Sequence, residues 1–142
     1  MKEVRLLGIC CNWSPYACYN AAGMAKMEMP SNFRLIRVMC IGRINQALIL
    51  RAFEYGADGV ILLECSDEDC RYGPGPEVGH ENVRRVRKLL HLLGISQERL
   101  VERSFAAHER GEIVSKLWSF ARDIERLGPI TQAMTSFGAR EP

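Results

Sequence analysis

The sequence predicts an α/β domain in which about four parallel strands lie between helices on both faces, as a three-layer sandwich. Short apolar runs alternate with longer stretches of helical periodicity along the chain. Strands and helices that alternate in this way form βαβ crossovers, which place the strands parallel to one another. The chain has 142 residues, the length of one domain that is large enough to bury roughly two thirds of its unfolded surface. We expect this domain to span residues 1–128.

Four apolar runs are predicted to form the strands, and three of them run into cysteine. The predicted strands are residues 4–10, 33–39, 59–64 and 100–105. The first is followed by Cys11, the second by Cys40 and the third by Cys65. Ligands of open parallel sheets bind outside the carboxyl ends of the strands. Three separate stretches of chain are therefore expected to bring thiols to one functional edge.

The first two helices are predicted from their ends. Ser14 is expected as the N-cap of the first helix with Pro15 at the first helical position, and this helix ends before Pro30. The second helix covers residues 45–55 and closes at Gly56. Its periodicity puts three apolar residues on one side, namely Leu48, Ala52 and Tyr55.

The last two helices are predicted from their apolar stripes. The third covers residues 81–93 and stops at Gly94, and its stripe is Val83, Val86, Leu89, Leu90 and Leu93. The fourth covers residues 108–127, and its stripe is Val114, Leu117, Trp118, Ala121, Ile124 and Leu127. Gly128 and Pro129 close this helix, and residues 129–142 are expected to be a C-terminal tail.

The connection over residues 65–79 is longer than usual, which favours a functional loop. It contains Cys65 and Cys70, separated by Ser, Asp, Glu and Asp. These neighbours offer no apolar core, so the two cysteines are interpreted as ligands or reactive groups. Cys18 lies inside a predicted helix and is interpreted as core, because cysteine often packs as a small hydrophobe.

Composition excludes several classes of protein. The net charge of +2 does not favour nucleic-acid binding. No apolar stretch reaches the roughly 18 to 20 residues that span a bilayer, and no secretory signal is visible. We therefore expect a cytoplasmic protein. Six cysteines in a reducing compartment indicate metal or redox chemistry more than a disulfide framework.

The chemistry of the cysteines is left open by their spacing. The Cys-x4-Cys pair is looser than a zinc ribbon, and His80 is near enough in sequence to be an alternative ligand. Cys65 and Arg71 also have the Cys-x5-Arg spacing of thiol phosphatases, but the acidic residues between them would repel a phosphate dianion. Three hypotheses follow: an iron–sulfur electron carrier, a zinc-stabilised binding module, and a thiol enzyme that uses Cys65.

Several short motifs form an ordered set along the chain. They are Cys11-Asn12-Trp13 with Tyr16-Ala17, Ala22-Gly23, Ile36 to Cys40 with Gly42-Arg43, Ala52-Phe53 with Gly56 to Val60, Cys65 with Asp69-Cys70 and Tyr72, and Leu127-Gly128-Pro129. As a set, they resemble the methyl-viologen-reducing hydrogenase delta subunit family. The alternating strands and helices predict a flavodoxin-like or Rossmann-like fold, and the resemblance implies an electron-transfer subunit that is not a catalyst alone.

The resemblance further implies one [2Fe-2S] cluster and two partners. The cluster would relay electrons between a hydrogenase, or another donor enzyme, and the flavin-containing subunit of a heterodisulfide reductase. The matching positions assign four thiolate ligands, Cys11, Cys40, Cys65 and Cys70. Arg37 and Arg43 flank Cys40 and would offset the charge of the cluster, or lie at the solvated surface. Trp13 and Tyr72 would shield the cluster by packing.

The sequence departs from the family at Ser14. The family usually continues Cys-Asn-Trp-Cys, and here serine stands at the second cysteine. Either the serine is only a helix cap, or Cys18, one helical turn on, replaces the missing thiol. Cys10 is the alternative to Cys11 if the strand ends one residue earlier. Arg71 also stands where the family tends to have histidine.

Overall fold

The computed structural model describes residues 3–66, 70–71 and 73–130. The strands β1 to β4 are Leu6–Cys11, Phe33–Val38, Gly59–Glu64 and Leu100–Ser104. The helices α1 to α4 are Ser14–Met24, Gln46–Glu54, Gly75–Leu92 and Arg110–Leu127. Single turns of 3-10 helix at Ile41–Arg43 and Gln97–Arg99 precede α2 and β4. The predicted alternation of strands and helices is confirmed.

The four strands form one parallel sheet in the order β2-β1-β3-β4. The predicted parallel sheet is therefore confirmed, and the fold is flavodoxin-like. β1 and β3 are the two central strands, β2 lies beside β1 at one edge, and β4 lies beside β3 at the other edge. The crevice beyond the carboxyl ends of β1 and β3 is where such sheets bind ligands.

Helices cover both faces of the sheet, and each face has its own core. The side chains of β1 alternate between the two cores, because successive residues of a strand point to opposite faces. Leu6 and Cys10 pack on the face that α1 and α4 cover. Ile9 packs on the face that α2 and α3 cover. This alternation separates the neighbouring Cys10 and Cys11.

The predicted N-cap role of Ser14 is wrong. Helix α1 begins at Ser14 itself, Trp13 takes the cap position, and Pro15 lies in the first turn. The Ser14 hydroxyl donates to the Phe105 carbonyl at 3.0 Å, so it makes a tertiary bond instead of capping its own helix. The helix ends before Pro30, as predicted, but already at Met24. Lys26, just beyond it, adopts a left-handed backbone with φ of 57°.

In α2, the side of the helix that packs on the sheet differs from the side that carries Leu48 and Tyr55. Ile49 and Phe53 are buried, whereas Leu48 is 43% exposed and Tyr55 is 74% exposed. Apolar residues occur on more than one side of this short helix, so its orientation depends on the packing against β3 and α3. The predicted glycine end is confirmed, because Gly56 has a positive φ of 112°.

Helix α3 begins at Gly75, six residues before its predicted start, so the predicted loop 65–79 is shorter than expected. Pro76 is compatible with a first helical turn because its missing N–H would have no partner there. Gly75 also packs closely on the 3-10 turn. A Cβ added at Gly42 would lie 2.9 Å from the Gly75 Cα. The sequence shows the glycines and prolines but not this contact.

Two predicted core positions are wrong. Leu89 of α3 and Trp118 of α4 are each 37% exposed, although other members of their stripes are buried. The Trp118 indole N–H donates to the Glu28 carbonyl at 2.9 Å, which holds the ring at the edge of the core. The core of α4 instead includes Ile113 and Phe120, which lie outside the predicted stripe.

Helix α4 ends as predicted, with Gly128 at a positive φ of 75°. Beyond it, Ile130 packs against the core of the α2 and α3 face, and its backbone N–H donates to an Asp58 carboxylate oxygen at 2.9 Å. Most of the predicted tail, residues 131–142, lies outside the described residues. Within the described ranges, none of the helices combines the length and apolarity needed to cross a membrane.

A substitution at Gly59 tests how closely α4 packs on the sheet. A Cβ at this position would lie 2.7 Å from Ile124 Cγ1 and 2.9 Å from Phe120 Cζ. We expect Gly59→Ala to lower the free energy of unfolding by about 1–3 kcal/mol, because overpacking forces neighbouring side chains to move. Urea unfolding followed by circular dichroism measures this change.

Gly23 provides the matched control. It lies in α1, and an added Cβ there would meet no atom within 4 Å. Gly23→Ala should therefore raise the free energy of unfolding by about 0.5–1 kcal/mol, as removal of a helical glycine does. Equal effects of the two substitutions would contradict the packing of Gly59 against α4.

Candidate metal centre

The ends of β1 and β3 bring two thiols together. Cys11 is the last residue of β1, and Cys65 directly follows β3. Their Sγ atoms are 3.3 Å apart, and both residues are buried. The neighbouring position of the two strands in the sheet creates this pair from residues that are far apart in sequence.

Cys40 and Cys70 form a second pair over Gly75. A Cβ added at Gly75 would lie 2.5 Å from the Cys40 Sγ and 2.9 Å from the Cys70 Sγ. Both sulfurs therefore occupy the space that a side chain at position 75 would fill. Cys40 is buried, whereas Cys70 is half-buried. The glycine forms a cradle for these two thiols.

Backbone donors and the helix favour negative charge at these sulfurs. The Gly42 N–H donates to the Cys40 Sγ at 3.4 Å. The Trp13 backbone N–H lowers the pKa of Cys11. Both the 3-10 turn and the positive end of the α3 dipole lie beside the Cys40 pair, and a helix N-terminus stabilises anions.

Burial acts in the opposite direction and dominates. It raises the pKa of Cys11 to about 12, and the neighbouring Cys65 contributes to this rise. Burial also raises the pKa of Cys40, with Cys70 and Cys65 adding to the effect. Without a cation, the Cys11 and Cys40 thiols are protonated at neutral pH. A bound metal would supply the positive charge that favours the thiolate form of such cysteines.

The two alternative thiols lie on the other face of the sheet. Cys10 and Cys18 are buried in the core that α1 and α4 cover. The Cys10 Sγ donates to the Cys11 carbonyl at 3.4 Å. Burial, together with Glu109 and Glu112, raises the pKa of Cys18 to about 11. It is the Cys11 sulfur, and not the Cys10 sulfur, that contacts the Cys65 sulfur.

The other residues considered from sequence take separate places. The His80 ring contacts a Glu102 carboxylate oxygen on β4. The Arg37 guanidinium stacks on the Tyr16 ring at 4.2 Å from its centroid, and Arg43 is exposed. Tyr72 lies outside the described residues.

Sequence reasoning missed an open groove beside Cys40. The groove has a volume of about 440 Å³ and is lined by Met39, Cys40, Gly42, Arg43, Pro74, Gly75 and Val78. It adjoins the cradle, so the Cys40 pair lies next to the surface. Gly42 and Gly75 were the only local signal of this groove, and their meaning depends on the contact between the 3-10 turn and α3.

The candidate ligands are four cysteine sulfurs in two pairs. In the described ranges, no group of three or more His, Cys, Asp or Glu side chains is arranged to hold a single metal ion. The pairs are nevertheless neighbours, since Cys40 raises the pKa of Cys11 and Cys65 raises that of Cys40. Thiolates are soft ligands that suit iron–sulfur clusters and zinc. The residues present therefore fit a metal group that thiolates bind.

The fold and the site define a flavodoxin-like α/β domain that gathers cysteine sulfurs at the carboxyl edge of its sheet. The sequence model of one family, described as methyl-viologen-reducing hydrogenase, delta subunit, matches residues 6–128. The chain belongs to this family, which confirms the resemblance seen in its motifs.

Named relatives are of two kinds. The chain is 36% identical over 129 residues to the iron-sulfur D subunit of the F420-non-reducing hydrogenase vhc of Methanococcus voltae, covering 91% of this chain and 90% of the relative. It is 32% identical over 124 residues to the iron-sulfur D subunit of the hydrogenase vhu of Methanocaldococcus jannaschii, covering 87% and 92%. It is also 32% identical over 120 residues to the A subunit of the ferredoxin:CoB-CoM heterodisulfide reductase of Methanosarcina mazei, covering 84% of this chain but only 15% of that relative.

The 3.3 Å separation of the Cys11 and Cys65 sulfurs makes a chemical prediction for the metal-free protein. Mild oxidation with diamide should join these two residues, because their sulfurs need to move by only about 1.3 Å to reach disulfide bonding distance. Peptide mapping by mass spectrometry identifies the linked peptides.

Cys65→Ser is the control for this reaction and should give no Cys11 disulfide in comparable yield. Cys10 and Cys18 should keep free thiols, since they lie in the other core. A major disulfide between Cys10 and Cys11, or between Cys10 and Cys18, would contradict the described pairing.

Proposed function

We propose that the chain is an electron-transfer subunit that holds one [2Fe-2S] cluster through Cys11, Cys40, Cys65 and Cys70. The observation that carries this proposal is the arrangement of four sulfurs as two neighbouring pairs at one edge of the sheet. A [2Fe-2S] cluster has two irons, and four cysteine thiolates divide between them. Two pairs of thiols match that division better than they match one tetrahedral ion.

The residues around the sulfurs suit a redox role. A bound cluster would supply one-electron chemistry, and its potential depends on burial and on hydrogen bonds to the sulfurs. Here the protein buries Cys11 and Cys65 deeply and leaves Cys70 half-buried. The Gly42 N–H donates to the Cys40 Sγ. The more exposed pair is thus the side from which a partner could approach.

The thiol-enzyme alternative receives no support from the site. A nucleophilic cysteine must reach its substrate as a thiolate. Cys65 is only 2% exposed and lies against the Cys11 sulfur. A substrate would have to displace the core to contact it, so binding of a metal group is the better use of this thiol.

The names of the relatives support the choice of partners. One group consists of iron-sulfur subunits of hydrogenases, and the other of heterodisulfide reductase A subunits that contain a similar segment. We infer that this chain, in the cytoplasm, receives electrons from a hydrogenase or another donor enzyme and passes them to a flavin-containing heterodisulfide reductase subunit.

Anaerobic reconstitution with iron and sulfide tests the cofactor. The wild type should bind about two irons and about two sulfides per chain, and reduction with dithionite should give an EPR signal. Cys70→Ser should lose this signal or change its g values, because an oxygen ligand replaces sulfur at one iron. Metal analysis, visible absorption and EPR measure these outcomes.

Cys18→Ala is the matched control, since Cys18 is a buried cysteine on the opposite face of the sheet. It should bind iron and sulfide as the wild type does. Zinc without iron, or absence of any metal in protein kept strictly anaerobic, would refute the proposal and favour the zinc-stabilised module or a structural role.

Electron transfer to the partner is tested separately. The reconstituted protein, reduced and freed of excess dithionite, should reduce the flavin of a heterodisulfide reductase A subunit, measured by the loss of flavin absorbance in a stopped-flow experiment. The Cys18→Ala protein should act as the wild type does. A cluster-loaded wild type that leaves the flavin oxidised would contradict this choice of partner, without affecting the assignment of the cluster.

A further inference from the structure

Trp13 lies where the cysteine-bearing segments meet. It follows β1 two residues after Cys11, and its indole N–H donates to the Met39 carbonyl at 3.0 Å. The Arg71 guanidinium lies over the indole ring, 3.9 Å from its centroid. One side chain thus joins the segment after β1, the segment after β2 and the loop that carries Cys70.

These contacts reach three of the four thiols of the site. The Met39 carbonyl that accepts the indole N–H also accepts from the Cys11 Sγ at 4.0 Å. Met39 is bonded directly to Cys40, and Arg71 is bonded directly to Cys70. A displacement of the indole would therefore be transmitted through neighbouring residues to each of these cysteines.

Cys70 needs such support more than the other cysteines do. Cys11 belongs to β1, Cys40 caps the 3-10 turn, and Cys65 follows directly on β3. Cys70 lies in a connection outside any strand or helix, and it is the one cysteine of the six that is not buried. Its sulfur nevertheless has to stay over Gly75, beside the Cys40 sulfur.

We propose that Trp13 and Arg71 are positioning residues, in which the stacking of the guanidinium on the indole holds the Cys70 sulfur against Cys40 and Gly75. Arg71 suits this role because a planar guanidinium stacks on an aromatic face, which an ammonium does less well. The role of the positioned Cys70 as a cluster ligand rests on the proposed function. The positioning itself is a property of the chain and is measurable without a cluster.

Alkylation of the full-length, metal-free protein under anaerobic conditions tests the proposal. Iodoacetamide labelling is followed for each cysteine by mass spectrometry. For Cys70 the pH is raised to the value at which the rate stops rising, and the other cysteines are compared at one fixed pH. At Cys70 the limiting rate no longer depends on the fraction of thiolate, so it reports access to the sulfur and, more weakly, the nucleophilicity of the thiolate. In Arg71→Gln, we expect the limiting rate at Cys70 to rise about fivefold, the factor that corresponds to loss of a contact of about 1 kcal/mol. The rates at Cys11, Cys40 and Cys65 should not change.

This readout separates positioning from a purely electrostatic effect of Arg71. If the guanidinium acted only by its charge, Arg71→Lys would restore the wild-type limiting rate at Cys70 in full, whereas loss of the stacking leaves this variant faster than the wild type. Full restoration in Arg71→Lys, or an unchanged or lower limiting rate in Arg71→Gln, would overturn the proposal. An equal rise at all six cysteines would overturn it as well, because it would indicate general loosening of the fold.

Matched variants sharpen the test. Arg51→Gln removes another exposed arginine that stacks on an aromatic ring, with its guanidinium 5.6 Å from the Tyr55 centroid, and should leave Cys70 unaffected. Arg71→Lys keeps the charge and should restore only part of the protection. Trp13→Leu should raise the Cys70 rate as Arg71→Gln does, and the double variant should be no faster than the faster single variant. Additive effects would show that the two residues act independently and would overturn the proposal.

The result of the alkylation experiment is independent of the reconstitution with iron and sulfide. If Arg71→Gln exposes Cys70 and the wild type binds no iron, the positioning role stands and the proposed cofactor fails. If the wild type binds the cluster and Arg71→Gln leaves the limiting rate of Cys70 unchanged, the cofactor stands and the positioning role fails.

Discussion

The site depends on the close contact between the start of α3 and the 3-10 turn that follows β2. A Cβ at Gly42 would collide with the Gly75 Cα, and a Cβ at Gly75 would collide with the sulfurs of Cys40 and Cys70. This contact leaves room above Gly75 for the sulfurs of Cys40 and Cys70, and it brings the positive end of α3 to them. Without it, the Cys40 pair would lack both its cradle and its nearest source of stabilising charge.

The alternation of side chains along β1 imposes a second constraint. Cys10 and Cys11 are neighbours in sequence, but they point to opposite faces of the sheet. One packs with Cys18 in the core of the α1 and α4 face, and the other meets Cys65 across the strands. The chain therefore uses cysteine in two different ways, as a small core residue on one face and as part of a sulfur-lined site on the other.

Ser14 illustrates how a tertiary contact replaces a local one. A serine before a proline at a helix start is typical of an N-cap, yet its hydroxyl donates to the Phe105 carbonyl, beyond the end of β4. This bond ties the start of α1 to the far strand of the sheet. Ser14, which the sequence offers as a helix cap or as a replaced cysteine, thus has a structural bond of its own in this chain.

The sequence by itself determined the parallel α/β fold, the order of strands and helices, and the meeting of Cys11, Cys40 and Cys65 at one edge, because periodicity and strand ends are local properties. It did not determine where α3 begins, which side of α2 is buried, or that Trp118 and Leu89 lie partly exposed. Nor did it show that the thiols divide into pairs, or that Arg71 stacks on Trp13. Those features were decided by tertiary structure, because each arises from contacts between segments distant in sequence, and no local pattern encodes the distance between two such segments.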